Sequence, residues 1–89
     1  MDYRLDILKA LSDETRLNII LLLLKGEKNV LNIVSNIKKS QPNISIALKK
    51  LQYAGILESR KEHNRVYYRL KDLERISNIL ELVKNAQKE

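Results

Sequence analysis

Between Leu57 and Leu70 the chain changes its apolar period, and that change limits the folds open to it. Val66, Tyr68 and Leu70 alternate with Arg65, Tyr67 and Arg69, the two-residue spacing of a half-buried strand. Leu57 to Lys61 supplies a partner strand, and Glu62, His63 and Asn64 form the connecting turn, where asparagine tolerates positive φ. The segments before and after this hairpin carry helical spacing instead.

The first helix, Tyr3 to Leu11, has Leu5, Leu8 and Leu11 in register with Ile7 beside them. Ser12 or Asp13 can cap a second helix, from about Glu14 to Lys25, which stops at Gly26. Its NIILLLL run is apolar on every side, so this helix is expected at the centre of the domain. A short third helix, about Leu31 to Ile37, has Leu31, Ile33, Val34 and Ile37 as its apolar set and Asn29 as a candidate cap. After Lys38 and Lys39, Ser40 stands where a cap is wanted. Pro42 falls in the first turn, where a missing amide hydrogen costs little. The inward stripe of this fourth helix is Ile44, Leu48 and Leu51, and Gly55 terminates it. At 100° per residue, Pro42, Ile46, Lys49, Lys50 and Tyr53 fall on the opposite side, with Gln41, Asn43 and Ser45 around the amino end. A last helix, about Asp72 to Gln87, places Leu73, Ile76, Leu80 and Val83 at three-four-three spacing, with Ile79 and Leu82 widening the stripe.

The expected fold is therefore mainly α (α+β), with about five helices and a two-stranded β-hairpin. Two helices joined by a short basic turn and followed by a hairpin make a winged helix-turn-helix, with the fourth helix as the reading element. Residues 1–89 fit a single domain, and a chain of this length buries only roughly 60 to 65% of its unfolded surface.

Composition removes several function classes. Without cysteine there is no disulfide framework, thiolate metal site or thiol nucleophile, and His63 alone rules out a site built from several imidazoles. No paired carboxylates, phosphate loop or nucleophile with a base is present, so neither an enzyme nor a cofactor is expected. The longest apolar run, Ile19 to Leu24, falls far short of the roughly 20 residues of a membrane span. MDYRLDIL carries charges where a signal peptide is apolar, and the expectation is a soluble, cytoplasmic protein with no membrane partner.

The net charge of +6 becomes informative once it is located. From Lys38 to Lys71 nine basic residues stand against Glu58 and Glu62, a local charge of +7, while the rest of the chain carries −1. Such segregation is the footprint of a polyanion binder, and here the polyanion is read as double-stranded DNA. Ser45 and Lys49 are expected to touch it, with Ser40 and Lys50 beside them. Gln41 and Asn43 can pair bidentately with adenine, and Ile46 can meet a thymine methyl, which favours an A·T-containing site. Ile46 is equally compatible with cover by a partner chain or with plain exposure. Arg60, Lys61 and Arg65 on the hairpin are expected at phosphates or in a minor groove, with cross-strand pairing to Glu58 or Glu62 as the competing reading. Arg16 has two readings, a DNA contact and a salt link to Asp13 or Glu14. One of Tyr67 and Tyr68 is expected in the core and the other at the surface, and His63 is expected in solvent.

ILKALSDETRLNIILLL, SQPNISIALKKLQYAGILESRKE and NRVYYRL together resemble the ArsR (arsenic-repressor) family of winged-helix transcriptional repressors, over about Ile7 to Leu70. The resemblance implies a homodimer that binds an inverted-repeat operator and releases it on binding a metal or another inducer. The chain departs from the family where sensing is concerned. Metal-sensing members carry Glu-Leu-Cys-Val-Cys-Asp-Leu on the third helix, and this chain reads EKNVLNI, with Asn29 and Leu31 in place of both sulfur ligands. Zinc-sensing members use an aspartate, histidine and glutamate set on the last helix, and residues 72–89 contain no histidine. No metal site is expected, since scattered acids such as Asp72, Glu74 and Glu81 are ordinarily solubilising. Family members commonly have Arg-His where this reading helix has Ile46 and Ala47.

The last helix has no further chain to pack on, so Leu73, Ile76, Leu80 and Val83, with Leu5 and Leu8 of the first helix, are expected to form a dimer interface. The alternative is a winged-helix protein-interaction module whose basic face binds an acidic partner.

Overall fold

The computed structural model of the protein describes residues 3–87. Helix α1 (Tyr3–Leu11) leads into α2 (Glu14–Leu23), then a two-residue strand β1 (Lys28–Asn29), α3 (Val30–Asn36) and α4 (Gln41–Tyr53). Strands β2 (Leu57–Glu62) and β3 (Arg65–Leu70) follow, and α5 (Leu73–Gln87) is the last described element. This is the expected winged helix-turn-helix with one addition. The sheet has three strands in the order β1-β3-β2, all antiparallel. β1 lay below the sequence signal because two residues show no alternation. It forms where Lys28 and Asn29 find Tyr68 and Tyr67 as ladder partners.

The starts of α2, α3, α4 and α5 each rest on a side chain of the right type. The Arg16 amide donates to Asp13 Oδ2 at 2.9 Å, the Asn32 amide to Asn29 Oδ1 at 2.8 Å and the Asn43 amide to Ser40 Oγ at 3.3 Å. Asp72 serves α5 in the same way through the Arg75 amide. Each bond satisfies one of the four amides that a helix start leaves without a partner. Asn29 both caps α3 and belongs to β1, so α3 starts one residue earlier than its apolar spacing indicates. Val30 is then partly buried, and Leu31 stands 64% exposed rather than in the apolar set.

The end of α4 determines how the hairpin departs. Gly55 adopts φ +78°, its amide donates to the Gln52 carbonyl, and the Ile56 amide donates to the Leu51 carbonyl. These two bonds make a Schellman closure, in which the residue after the glycine packs against the last turn. Ile56 and Leu51 are both fully buried. The chain therefore enters β2 with Leu57 already in the core. At the far end His63 (φ 48°) and Asn64 (φ 67°) form a two-residue turn, the type I′ geometry that matches strand twist.

The core gathers Ile7 and Ala10 of α1, Ile19, Ile20 and Leu23 of α2, Ile33 of α3, and Ile44, Ala47, Leu48 and Leu51 of α4. Leu57 and Leu70 close it from the sheet. α2 is less uniformly buried than its composition suggests, because Leu21 is 43% exposed. α5 meets the body through Ile76, which is fully buried, with Ile79 and Leu80 packed at its edge. Ile76 is thus a core residue of its own subunit and is not free to form a dimer surface. Leu5, Leu8, Leu73 and Leu82 remain exposed, and the side chain of Val83 lies outside the described residues.

Leu51 carries both the inner face of α4 and its terminating closure. Leu51→Ala is expected to destabilise the fold by about 2–5 kcal/mol, read as a shift in the midpoint of urea unfolding at unchanged m.

Candidate nucleic-acid interface

The buried residues of α4 fix what the helix shows to solvent. With Ile44, Ala47, Leu48 and Leu51 inward, Pro42, Ile46, Lys49 and Tyr53 occupy the middle of the outward face. Gln41, Ser45 and Gln52 lie on one flank, which faces the hairpin, since Gln52 Nε2 donates to Ser59 Oγ at 3.0 Å. Asn43 and Lys50 lie on the other, where they border a shallow hollow with Asp13, Thr15 and Arg16 at the start of α2. Gln41 and Asn43 therefore leave the helix tip on opposite sides. Ser45 is half-buried, and Ile46 is 55% exposed.

Tyr53 was not among the residues expected at the interface, although the helical wheel already placed it outward. It is 96% exposed and borders an apolar hollow with Ile46, Lys49, Lys50, Ala54 and Asp6. The signal that finds it is the burial of Leu48 and Leu51, which orients the last turn of the helix.

Ser40 uses its hydroxyl oxygen as acceptor for the Asn43 amide, and its hydroxyl hydrogen stays free to donate outward. Arg16 forms neither of its expected salt links. Its Nη2 donates to the Lys9 carbonyl at 3.2 Å, which ties the end of α1 to α2.

The hairpin separates its cations by face. Ser59 and Lys61 alternate with Glu58, Arg60 and Glu62 along β2, and the register sets Arg60 opposite Tyr67 and Glu62 opposite Arg65. Lys61 thus shares the side that Ser59 turns to α4, and Arg60 lies on the other side. Arg60 is committed within the molecule. Its Nε and Nη2 donate to the two carboxylate oxygens of Glu27 at 3.0 and 2.7 Å, its Nη1 donates to Glu62, and its guanidinium lies 4.6 Å from the Tyr67 ring centre. The bond from Arg60 holds the Glu27 carboxyl below the usual carboxylate range, and the bonds to Glu27 and then Glu62 hold the Arg60 guanidinium above its own. Of the two readings of Arg60, the structure shows the pairing, with Glu27 added to it. Arg60 pairs with Glu62, while Glu58 accepts from Arg69 at 2.6 Å. Among the described residues Lys49, Lys50, Lys61 and Arg65 take part in no ion pair and are exposed. Tyr67 and Tyr68 face opposite sides of the sheet, with Tyr68 packed against the core and Tyr67 under Arg60. His63 is exposed at the tip.

No three histidine, aspartate or glutamate side chains converge among the described residues, and no described helix is long and apolar enough to cross a membrane. The geometry supplies a polar helix tip, an outward helix face and four unpaired cations. Such an arrangement suits insertion of the helix into a major groove with the cations at phosphates.

Residues 13–59 match the family model described as bacterial regulatory protein, arsR family. The chain is 42% identical over 79 residues to an uncharacterized HTH-type transcriptional regulator of Methanocaldococcus jannaschii, covering 88% of each. It is 43% identical over 67 residues to the arsenical resistance operon repressor of Escherichia coli, covering 74% of this chain and 57% of that protein. Among solved structures it is similar to a homodimeric winged helix-turn-helix DNA-binding domain from Mycobacterium bovis, with a TM-score of 0.82, 31% identity and coverage of 99% and 83%.

Because Ser40 is the cap of α4, Ser40→Ala is expected to lower stability by about 0.5–2 kcal/mol and Ser40→Asp to preserve it, as read by thermal unfolding.

Proposed function

The chain belongs to the arsR family of bacterial regulatory proteins and is a DNA-binding transcription regulator rather than an enzyme, and from that premise we propose that it is a repressor acting as a homodimer on an inverted-repeat operator. The observation that carries the reading is the concentration of unpaired positive charge around the outward face of α4. Lys49 and Lys50 lie along that helix, Lys61 lies on the side of the hairpin that Ser59 turns to the Gln52 flank, and Arg65, opposite Glu62, lies at the tip on the other side. Gln41, Asn43 and Ile46 read base edges, and Ser40 and Ser45 donate to phosphate or base at the helix tip. Lys49, Lys50, Lys61 and Arg65 neutralise phosphates. Tyr53 joins the far end of the same face. Two copies related by a twofold axis read half-sites about one helical turn, roughly 34 Å, apart.

The family's metal response is not carried over to this chain. Asn29, at the position of one sulfur ligand, is instead the cap of α3 and a partner of Tyr67 in the sheet. Leu31, at the other, is an exposed hydrocarbon side chain.

Dimerisation is assigned to the terminal helices. Leu5, Leu8 and Leu73 are each about half exposed, Leu80 lies at the core edge, and the homodimeric M. bovis domain supports a twofold assembly. Sedimentation at micromolar concentration is expected to give a dimer, and Leu8→Glu combined with Leu73→Glu a folded monomer. A wild-type chain that sediments as a stable monomer removes the assignment.

The division of labour on DNA is tested with Asn43→Ala and Lys49→Ala, on the duplex selected from random sequence and on random duplex, at several salt concentrations. Lys49→Ala should weaken both similarly and reduce the salt slope by about one unit. Asn43→Ala should cost roughly 1 to 3 kcal/mol on the selected duplex and little on the other. Equal losses on both duplexes for Asn43→Ala refute base reading, and a wild-type chain that prefers no duplex refutes operator binding.

A further inference from the structure

One charged cluster on the hairpin is not used by the DNA-binding reading. Glu27 immediately precedes β1, and Arg60 lies on β2 at the opposite edge of the sheet, with β3 between them. Tyr67 on β3 is paired with Asn29 on one side and Arg60 on the other. The Arg60 side chain crosses the Tyr67 ring and ends on both oxygens of Glu27, with Glu62 taking its remaining terminal nitrogen. Arg60 thus reaches across the width of the sheet to join the hairpin to the residue that leads into the helix-turn-helix.

A planar guanidinium on both carboxylate oxygens and over an aromatic ring is held in position and direction, whereas a lone exposed ion pair is not. The base of the hairpin is fixed to α4 by the closure at Gly55 and by Leu57 in the core, whereas β2 from Ser59 to Glu62 is exposed. β1 is two residues long, and a side-chain hydrogen bond from Gln52 to Ser59 joins α4 to β2. Asn29, next but one to Glu27, caps α3, so the cluster ends at the start of the helix-turn-helix.

We infer that Glu27 is a positioning residue for DNA recognition, which through Arg60 and Tyr67 fixes the hairpin relative to α4 and keeps the Arg60 charge away from the DNA backbone. The inference rests on the operator-binding reading, and its test includes one measurement independent of DNA.

Glu27→Gln makes the protein one charge more positive, and Arg60→Gln makes it one charge less positive. If electrostatic attraction to a polyanion were the whole effect, the first would tighten binding to every duplex and the second would weaken it. A positioning pair behaves differently. Both variants should lose affinity for the selected duplex by roughly three- to tenfold, the double variant should lose no more than either single one, and random-duplex affinity should not fall with Glu27→Gln. Hydrogen exchange of the amides of residues 65–70 should quicken in both variants without DNA, because the sheet edge is released. Glu27→Gln and Arg60→Gln shifting selected-duplex affinity in opposite directions, or unchanged exchange over residues 65–70, overturns the inference. Should the wild-type chain prefer no duplex at all, the operator-binding reading fails, and the exchange measurement still decides whether the pair holds the sheet.

Discussion

The inner face of α4 is the constraint on which the rest of the structure depends. Ile44, Ala47, Leu48 and Leu51 are buried against α2 and the sheet, and their burial supplies much of what so small a domain can gain from removing apolar surface from water. The same four residues decide which way the other nine positions of the helix point. A reading helix must be held rigidly on one side and left bare on the other, and a stripe of four core residues achieves both. Leu51 extends the effect past the helix end, because the closure around Gly55 uses its carbonyl and packs Ile56 against it. The hairpin therefore starts from a point fixed by the helix it accompanies.

Charge is organised on the same frame. The block from Lys38 to Lys71 carries the whole positive excess, but its cations are not equivalent. Arg60 and Arg69 are held by Glu27, Glu62 and Glu58, and surface pairs of this kind shape the sheet more than they stabilise it. The other seven, Lys38, Lys39, Lys49, Lys50, Lys61, Arg65 and Lys71, are left to solvent. Counterion release on binding a polyanion comes from such unpaired charges, so a count of lysines and arginines overstates what the surface offers to DNA.

Asn29 shows how a departure from the family pattern can serve the fold. A cap must accept a hydrogen bond from the helix start, and asparagine does so through Oδ1 while its backbone pairs with Tyr67. The residue that removes a sulfur ligand thus anchors both α3 and the third strand. Leu31 makes no such contribution, and nothing in the structure explains its exposure.

Local chemistry made most of the fold legible in the sequence. Caps at Asn29 and Ser40, Pro42 in a first turn, Gly55 at a helix end and the alternation through Val66, Tyr68 and Leu70 each act over a few residues and are found where the sequence puts them, and of Ser12 and Asp13 the structure uses Asp13. The outward face of α4 was legible for the same reason, since 100° per residue needs no knowledge of the partner. What required tertiary structure was every feature that joins segments distant in the chain. The two-residue strand β1 exists only because Tyr67 and Tyr68 lie beside it, Ile76 is buried because α5 crosses the body there, and Arg60 is paired because Glu27, 33 positions earlier, arrives at the far edge of the sheet. Period and capping are written into neighbouring residues, whereas the choice of partner for a charge or an apolar side chain depends on which surfaces the folded chain brings together.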